Sequence, residues 1–206
     1  MKSTFPTIVS LLVITLATVA AAAQSASEYR PMAGSDSPLS YKSSPDSDCF
    51  VFEKYVVKTD NLEEGGQHIT IYDRGDSQEA DRTCEITRKP ILYVKDEDNN
   101  TFFGVTGPLL FVDSGTSLES RDIAIYDLRT GSAVARFEYT GDPKVSEGKF
   151  ILFDAPSGKK GPISSCKDAA KWKRQGGGVG WVIARQFDLQ TYRQTTLGTL
   201  KCIYMQ

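Results

Sequence analysis

The apolar residues of this chain occur in short runs with a period of two, and turn-forming residues separate the runs. This period is typical of strands with one buried face, and the runs are rich in the aromatic and β-branched residues that favour strands. The pattern predicts ten strands, at residues 50–57, 68–72, 91–94, 101–105, 109–112, 123–126, 134–139, 150–153, 180–184 and 200–204. The segments 96–100 and 127–131 are typical of hairpin turns.

One segment, residues 164–174, favours a helix. Residues 69–75 resemble residues 123–131, and such a repeat is common in propeller blades, but the chain is too short to close a propeller. We therefore predict an all-β fold. Its antiparallel sheets pack as a sandwich or as an incomplete propeller-like arrangement, with one short helix near the C-terminus.

The N-terminus is typical of a secretory signal peptide. Lys2 precedes an apolar run that is too short to span a membrane comfortably, and a stretch of alanines ends at Ala23. We predict a signal peptide over 1–23, cleaved near Ala23, a flexible Ser- and Pro-rich leader over 24–48, and a single β domain over 49–206. The protein is then periplasmic or secreted, and it does not span a membrane.

Secretion makes disulfide bonds the preferred interpretation of the cysteines, which are Cys49, Cys84, Cys166 and Cys202. Four cysteines allow three pairings, and the sequence does not choose among them. The local pairing joins Cys49 to Cys84 and Cys166 to Cys202. A metal site is less favoured, because the chain has no CxxC motif and no His–Cys spacing.

The charge and the residue counts exclude several functional classes. The chain has 24 Lys and Arg against 26 Asp and Glu, a net charge of −2, which is unlike a general nucleic-acid binder. The single histidine, His68, leaves little material for a catalytic triad or a zinc site. We predict a binding protein rather than an enzyme, with no cofactor and no metal ion.

One loop resembles an enzyme motif. Asp113, Ser114, Gly115, Thr116 and Ser117 follow an apolar strand, as in the active-site loop of an aspartic protease. That chemistry needs two carboxylates that share a proton, and a second such loop is absent from the sequence. A loop between two strands is therefore the simpler interpretation.

Other interpretations stay open at this point. The protein could be a small secreted hydrolase that uses Asp113 or His68, or a glycan- or envelope-binding module that uses Trp172 and Trp181. The basic and glycine-rich string at 159–178 could bind an anionic polymer, although a solvated basic loop is the simpler interpretation. The acidic string at 96–100 resembles the start of a calcium loop, but it lacks the glycine and glutamate that such a loop requires.

The order of the motifs resembles the periplasmic immunity proteins that neutralise type VI secretion amidase effectors, in particular those directed against NlpC/P60-type peptidoglycan amidases. The shared elements are, in chain order, a signal peptide, Asp48-Cys49-Phe50, an acidic glycine-containing loop at 63–66, Cys84-Glu85-Ile86, the loop at 111–117, Tyr126-Asp127, Thr130-Gly131 and the motif at 165–170.

The resemblance implies a β-rich inhibitor that inserts a serine-rich loop into the amidase cleft. A hydroxyl of that loop would hydrogen-bond the catalytic histidine of the amidase and block access to its cysteine nucleophile. The loop corresponds here to Asp113, Ser114, Gly115, Thr116 and Ser117, and Thr116 stands where the family has a serine. The resemblance thus implies a protein partner, a cell-wall amidase, and a partner-binding role for these five residues.

Overall fold

The computed structural model describes residues 31–75, 84, 86–116, 120–154 and 160–205, in which twelve strands form two antiparallel sheets. Each sheet is a meander in which strands that follow each other along the chain are hydrogen-bonded neighbours. The five-stranded sheet consists of β1 (Ser40–Ser43), β2 (Ser47–Val51), β3 (Tyr55–Asn61), β4 (Gln67–Asp73) and β5 (Leu92–Val94). The seven-stranded sheet consists of β6 (Thr101–Thr106), β7 (Leu109–Ser114), β8 (Arg121–Asp127), β9 (Ser132–Ser146), β10 (Lys149–Asp154), β11 (Gly178–Asp188) and β12 (Gln194–Met205).

Within the described residues, the helical content is one 3-10 turn (Ile163–Ser165) and one short helix, α1 (Ala169–Arg174). The helix lies within the segment 164–174, where a helix is predicted, and the 3-10 turn overlaps the start of that segment. The all-β prediction with one short helix near the C-terminus is therefore confirmed. The strand predicted over 50–57 is in fact two strands, because a tight turn separates β2 from β3, and within it the Phe52 amide donates to the Tyr55 carbonyl at 2.8 Å.

One hydrophobic core lies between the two sheets. The five-stranded sheet contributes Phe50, Val57 and Ile71, and the seven-stranded sheet contributes Leu110 and Val112. Burial of such side chains stabilises the folded state by roughly 1.5–3 kcal/mol each. This contact makes the two sheets into a sandwich.

A second core lies on the other face of β7. Leu109 and Phe111 pack there with Ile123 of β8, Phe150 of β10 and Phe187 of β11. Because successive side chains of a strand point to opposite faces, β7 contributes to both cores. All six of its residues are buried.

The segment 32–36 closes the seven-stranded sheet on itself. The Met32 amide donates to the Phe103 carbonyl of β6 at 3.0 Å, and the Val145 amide of β9 donates to the Ala33 carbonyl at 2.8 Å. Met32 itself is 3% exposed and belongs to the second core. The segment therefore bridges the free edge of β6 and the distant half of β9.

The leader prediction needs correction for residues 31–48. These residues contain the closing segment, β1 and the start of β2, and the ring of Tyr41 on β1 stacks on Phe50 at 4.8 Å. Composition suggests flexibility because the segment has few apolar groups, but backbone hydrogen bonds to existing strands hold it in place. The predicted signal peptide over 1–23 and residues 24–30 lie outside the described residues.

The cysteines form the two local disulfides, Cys49–Cys84 and Cys166–Cys202. The first joins β2 to the long connection between β4 and β5, and the second joins the segment before α1 to β12. Such cross-links typically contribute about 2–4 kcal/mol by restricting the unfolded chain. The disulfide-braced domain that the sequence predicts is confirmed.

The contribution of the closing segment to stability can be tested at Gly34. Gly34 has a φ of +79°, and a Cβ atom there would collide with the backbone carbonyl of Val145. We expect Gly34→Ala to lower the free energy of unfolding by about 2–3 kcal/mol, measured by urea denaturation, because it adds a clash to the cost of a left-handed alanine.

Gly141→Ala is the matched control. Gly141 has a nearly equal φ of +75°, and a Cβ atom there would have nothing within 4 Å. We expect Gly141→Ala to lower the free energy of unfolding by only about 1 kcal/mol, the conformational cost of an alanine with positive φ. Equal losses in the two variants would mean that the segment does not hold the sheet closed.

Candidate functional site

The loop that the sequence singles out begins inside the protein. Asp113 and Ser114 are the last residues of β7, and they are 4% and 2% exposed. Gly115 is half-buried and Thr116 is exposed, whereas Ser117 lies outside the described residues. A partner could therefore reach Thr116 directly, but not Asp113 or Ser114 while the sheet is intact.

The buried carboxylate of Asp113 is held by two side chains from the neighbouring strands. Its Oδ2 pairs with Nη2 of Arg121 at 2.5 Å, and its Oδ1 accepts from Nε of Arg121 at 3.1 Å and from the Tyr139 hydroxyl at 2.8 Å. Arg121 begins β8 and lies opposite Tyr139 of β9 in the antiparallel register. The fold thus brings both donors to the end of β7.

Burial governs the proton affinities of this network. Desolvation raises the pKa of Asp113, and the Tyr139 hydroxyl and the Arg121 guanidinium oppose that shift. Burial, together with the adjacent Asp113 charge, also raises the pKa of Tyr139, so the phenol remains a proton donor at neutral pH. The arrangement positions the carboxylate and leaves neither of its oxygens without a donor.

The residues after Asp113 are anchored to two neighbouring elements. The Ser114 hydroxyl donates to the Asp122 carbonyl of β8 at 3.5 Å. The Gly115 amide donates to the Asp98 carbonyl at 2.8 Å, and Gly115 adopts a φ of +96°, where a side chain would be strained. Thr116 is therefore the first exposed residue after a fixed backbone.

The turn at 96–100 supports the loop from outside. Asn100 is buried at 9% exposure, and its side-chain amide donates to the Lys95 carbonyl at 3.0 Å. The Asp96 carboxylate accepts from the Asn100 amide at 2.5 Å. These bonds close the turn on itself. The turn is not the hairpin that the sequence predicts, because the strands it joins, β5 and β6, belong to different sheets.

His68 holds the same turn from the five-stranded sheet. Its Nδ1 accepts a hydrogen bond from the Asp96 amide at 2.9 Å, and its ring lies 5.8 Å from that of Tyr93. An Nδ1 that accepts from a backbone amide carries no proton of its own. The ring of the single histidine thus supports the turn that holds Gly115.

An open cleft of about 620 Å³ lies beside the loop. Gly115 and Thr116 form part of its wall, together with the acidic side chains of Asp98, Asp122 and Glu138. The exposed Arg136 lies 3.7 Å from Asp98 and 3.8 Å from Asp122, and Arg121 is already paired with Asp113. The wall thus combines exposed carboxylates with the hydroxyl of Thr116.

The two tryptophans pack under another segment of the chain. Trp172 of α1 makes an edge contact with Tyr204 at 6.2 Å, and Trp181 of β11 lies beneath Gly161, where a Cβ atom would be 2.5 Å from the indole ring. Both are only half-exposed. Neither presents the fully exposed ring face that a glycan platform uses.

Sequence reasoning missed Arg121, Tyr139 and Asp98 as parts of this site. A signal for Arg121 is present, because a carboxylate that ends a continuous apolar run needs a cationic partner when the run is buried on both faces. Tyr139 and Asp98 come from distant strands and turns, and only the three-dimensional pairing shows them.

Comparison with known proteins finds no matching family model, no similar curated protein and no similar solved structure. Within the part of the chain that the structure describes, no helix is long and apolar enough to cross a membrane. The same residues contain no group of three or more His, Cys, Asp and Glu side chains that could hold a metal ion. The functional argument therefore depends on the geometry of the loop and the cleft.

The ion pair beneath the loop generates a test at Arg121. Replacing Arg121 by methionine leaves the Asp113 carboxylate buried, with the Tyr139 hydroxyl and the Ser114 backbone amide as its remaining donors. We expect a loss of about 1–3 kcal/mol in the free energy of unfolding near pH 7, a range below that of a fully buried pair because Arg121 is 37% exposed.

The stability loss in Arg121→Met should depend on pH, because the variant leaves a buried carboxylate without its cation. Asp113 in the variant has a folded-state pKa raised further above its unfolded value, so the folded state binds the proton more tightly. The loss should therefore shrink as the pH falls through the folded-state pKa of Asp113 towards its unfolded value, and it should reach its full size above the folded-state pKa. Arg136→Met, which removes a cation from exposed pairs, should cost below about 1 kcal/mol. An Arg121→Met loss without pH dependence would contradict the assigned pair.

Proposed function

We propose that this chain is a secreted or periplasmic protein that binds a cell-wall amidase and occludes its active site. One observation carries the proposal: the exposed Thr116 directly follows two buried residues and a fixed glycine, at the wall of an open cleft. A hydroxyl presented by such a rigid support is suited to enter a narrow enzyme cleft.

The mechanism assigns different roles to the loop residues. Thr116 and Ser117 contact the partner, and their hydroxyls hydrogen-bond the catalytic histidine of the amidase and exclude substrate from its cysteine nucleophile. Asp113, Ser114 and Gly115 are positioning residues, because their hydrogen bonds set the path of the chain that leads to Thr116. A loop already held in its bound shape loses less entropy on docking, which favours tight inhibition.

The charge of the cleft wall supports a basic partner surface. Asp98 and Asp122 share one cation, Arg136, and are 68% and 47% exposed, and Glu138 adds a third carboxylate to the wall, so negative charge remains there. Opposite charges accelerate diffusional association and fix the orientation of the partner. We therefore expect the amidase to present Lys or Arg residues around its active-site cleft.

The disulfides support an oxidising compartment. Bonds such as Cys49–Cys84 and Cys166–Cys202 persist in the periplasm and outside the cell, and they are rare in the cytosol of mesophiles. A secreted location is where a cell-wall amidase acts, so the compartment and the proposed target agree.

The test measures peptidoglycan cleavage by purified NlpC/P60-type amidases of the source organism, starting with the product of any neighbouring amidase gene. We expect the chain to inhibit one of them at stoichiometric amounts. Thr116→Trp should weaken this inhibition by about tenfold or more, because a bulky ring at the loop tip opposes docking. Ser117→Trp should do the same. The free energy of unfolding should stay unchanged for Thr116→Trp.

Thr195→Trp is the matched control, because Thr195 is also an exposed threonine but lies on β12, away from the cleft. It should leave inhibition unchanged. Full inhibition by Thr116→Trp and Ser117→Trp would refute the loop assignment. If the chain alone cleaved peptidoglycan and Asp113→Asn abolished that cleavage, the protein would be a hydrolase and the proposal would fail.

A further inference from the structure

The charges of this chain are segregated along its length. Residues 160–206 contain eight Lys and Arg but only two acidic residues, whereas residues 1–159 contain sixteen Lys and Arg and 24 acidic residues. The net charge of −2 therefore averages an acidic body and a basic C-terminal part.

Five of these eight basic residues lie within residues 160–174, a segment that packs on one face of the hairpin of β11 and β12. The Cys166–Cys202 disulfide ties the segment to β12, Trp172 packs on Tyr204, and Gly161 lies against Trp181. Since Cys202 and Trp181 are cross-strand partners, all these contacts are on the same face of the hairpin. The segment therefore packs against a single face of the hairpin.

Five cations of this segment are exposed, namely Lys160, Lys167, Lys171, Lys173 and Arg174. The salt bridges found among the described residues involve none of the five. Asp168 is the only acidic residue of the segment. The segment thus presents uncompensated positive charge over a surface that a disulfide holds rigid.

Exposed apolar side chains accompany these cations. Of the seven large hydrophobic residues that are exposed in the described part of the chain, four lie in the basic part, at Ile163, Leu197, Leu200 and Met205. Ile163 belongs to the covering segment and is 56% exposed. Leu200 is two residues before Cys202 on β12, so it points to the same face as the segment. We name the five cations together with Ile163 and Leu200 the basic face.

We infer that the basic face binds an anionic phospholipid surface. Lys and Arg side chains near such a surface each contribute about 1 kcal/mol of attraction, and exposed apolar side chains gain by entering the boundary between headgroups and acyl chains. A hydrated soluble polyanion would attract the cations but would offer nothing to Ile163 and Leu200. The presence of both exposed cations and exposed apolar side chains within residues 160–205 therefore favours a membrane, and this inference does not depend on the proposed amidase.

The experiment measures sedimentation of the chain from Gln24 onward with vesicles, so that the apolar residues before Gln24 cannot contribute. The vesicles consist of phosphatidylcholine alone or of phosphatidylcholine mixed with phosphatidylglycerol. We expect binding to the mixed vesicles only, weakened by added salt. The quadruple variant K167Q/K171Q/K173Q/R174Q should bind at least about tenfold more weakly.

The matched control is K42Q/K54Q/K89Q/K95Q, which removes the same charge from exposed lysines outside the basic face. It should bind as the unaltered chain does. Equal losses in the two quadruple variants would overturn the assignment of the face, and so would the absence of binding to the mixed vesicles.

Ile163→Ser separates a lipid surface from a soluble polyanion. It should weaken vesicle binding several-fold, because the apolar side chain gains free energy only by entering a lipid boundary. Retention on immobilised heparin should stay unchanged. If Ile163→Ser altered neither, and heparin competed fully with the vesicles, the ligand would be a polyanion and the membrane proposal would be wrong.

Discussion

The burial of β7 on both faces is the constraint from which the site follows. Leu110 and Val112 fill the core between the sheets, and Leu109 and Phe111 fill the second core. A strand in this position cannot bend outward, so the carboxylate that ends it must be satisfied within the protein. Arg121 and Tyr139 do so, and this arrangement determines where Thr116 emerges.

The strand pattern could be predicted because it depends on local alternation, and the single helix could be predicted for the same reason. The burial of Asp113 has a different origin. The continuous apolar run from Leu109 to Val112 indicates a strand covered on both sides. The partners of the Asp113 carboxylate, however, come from β8 and β9. The loop that resembles a protease motif thus contains a carboxylate whose environment is set by residues 8 and 26 positions later in the chain.

The ordered part of the predicted leader shows another limit of composition. Residues 32–36 contribute one buried side chain, Met32, and are otherwise held mainly by main-chain hydrogen bonds to β6 and β9, with one side-chain bond from the Gly107 amide to the Asp36 carboxylate. Any residue but proline can make such bonds, so hydropathy does not reveal them. The disulfide pairing was one of three from the sequence. It is local because each sheet is a meander, which keeps residues that are close in sequence close in space.

The segregation of charge bears on how the two proposed surfaces combine. The cleft is built from the loop after β7, the strands β8 and β9 and the turn at 96–100, whereas the basic face belongs to β12 and the segment before β11. In the seven-stranded sheet, β10 and β11 separate β9 from β12. Since no residue is shared, a lipid surface at the basic face does not need to displace a protein at the cleft. Under the two proposals, a basic amidase and an acidic membrane would each be attracted to the surface of opposite charge, and the separation of the charges keeps the two attractions apart.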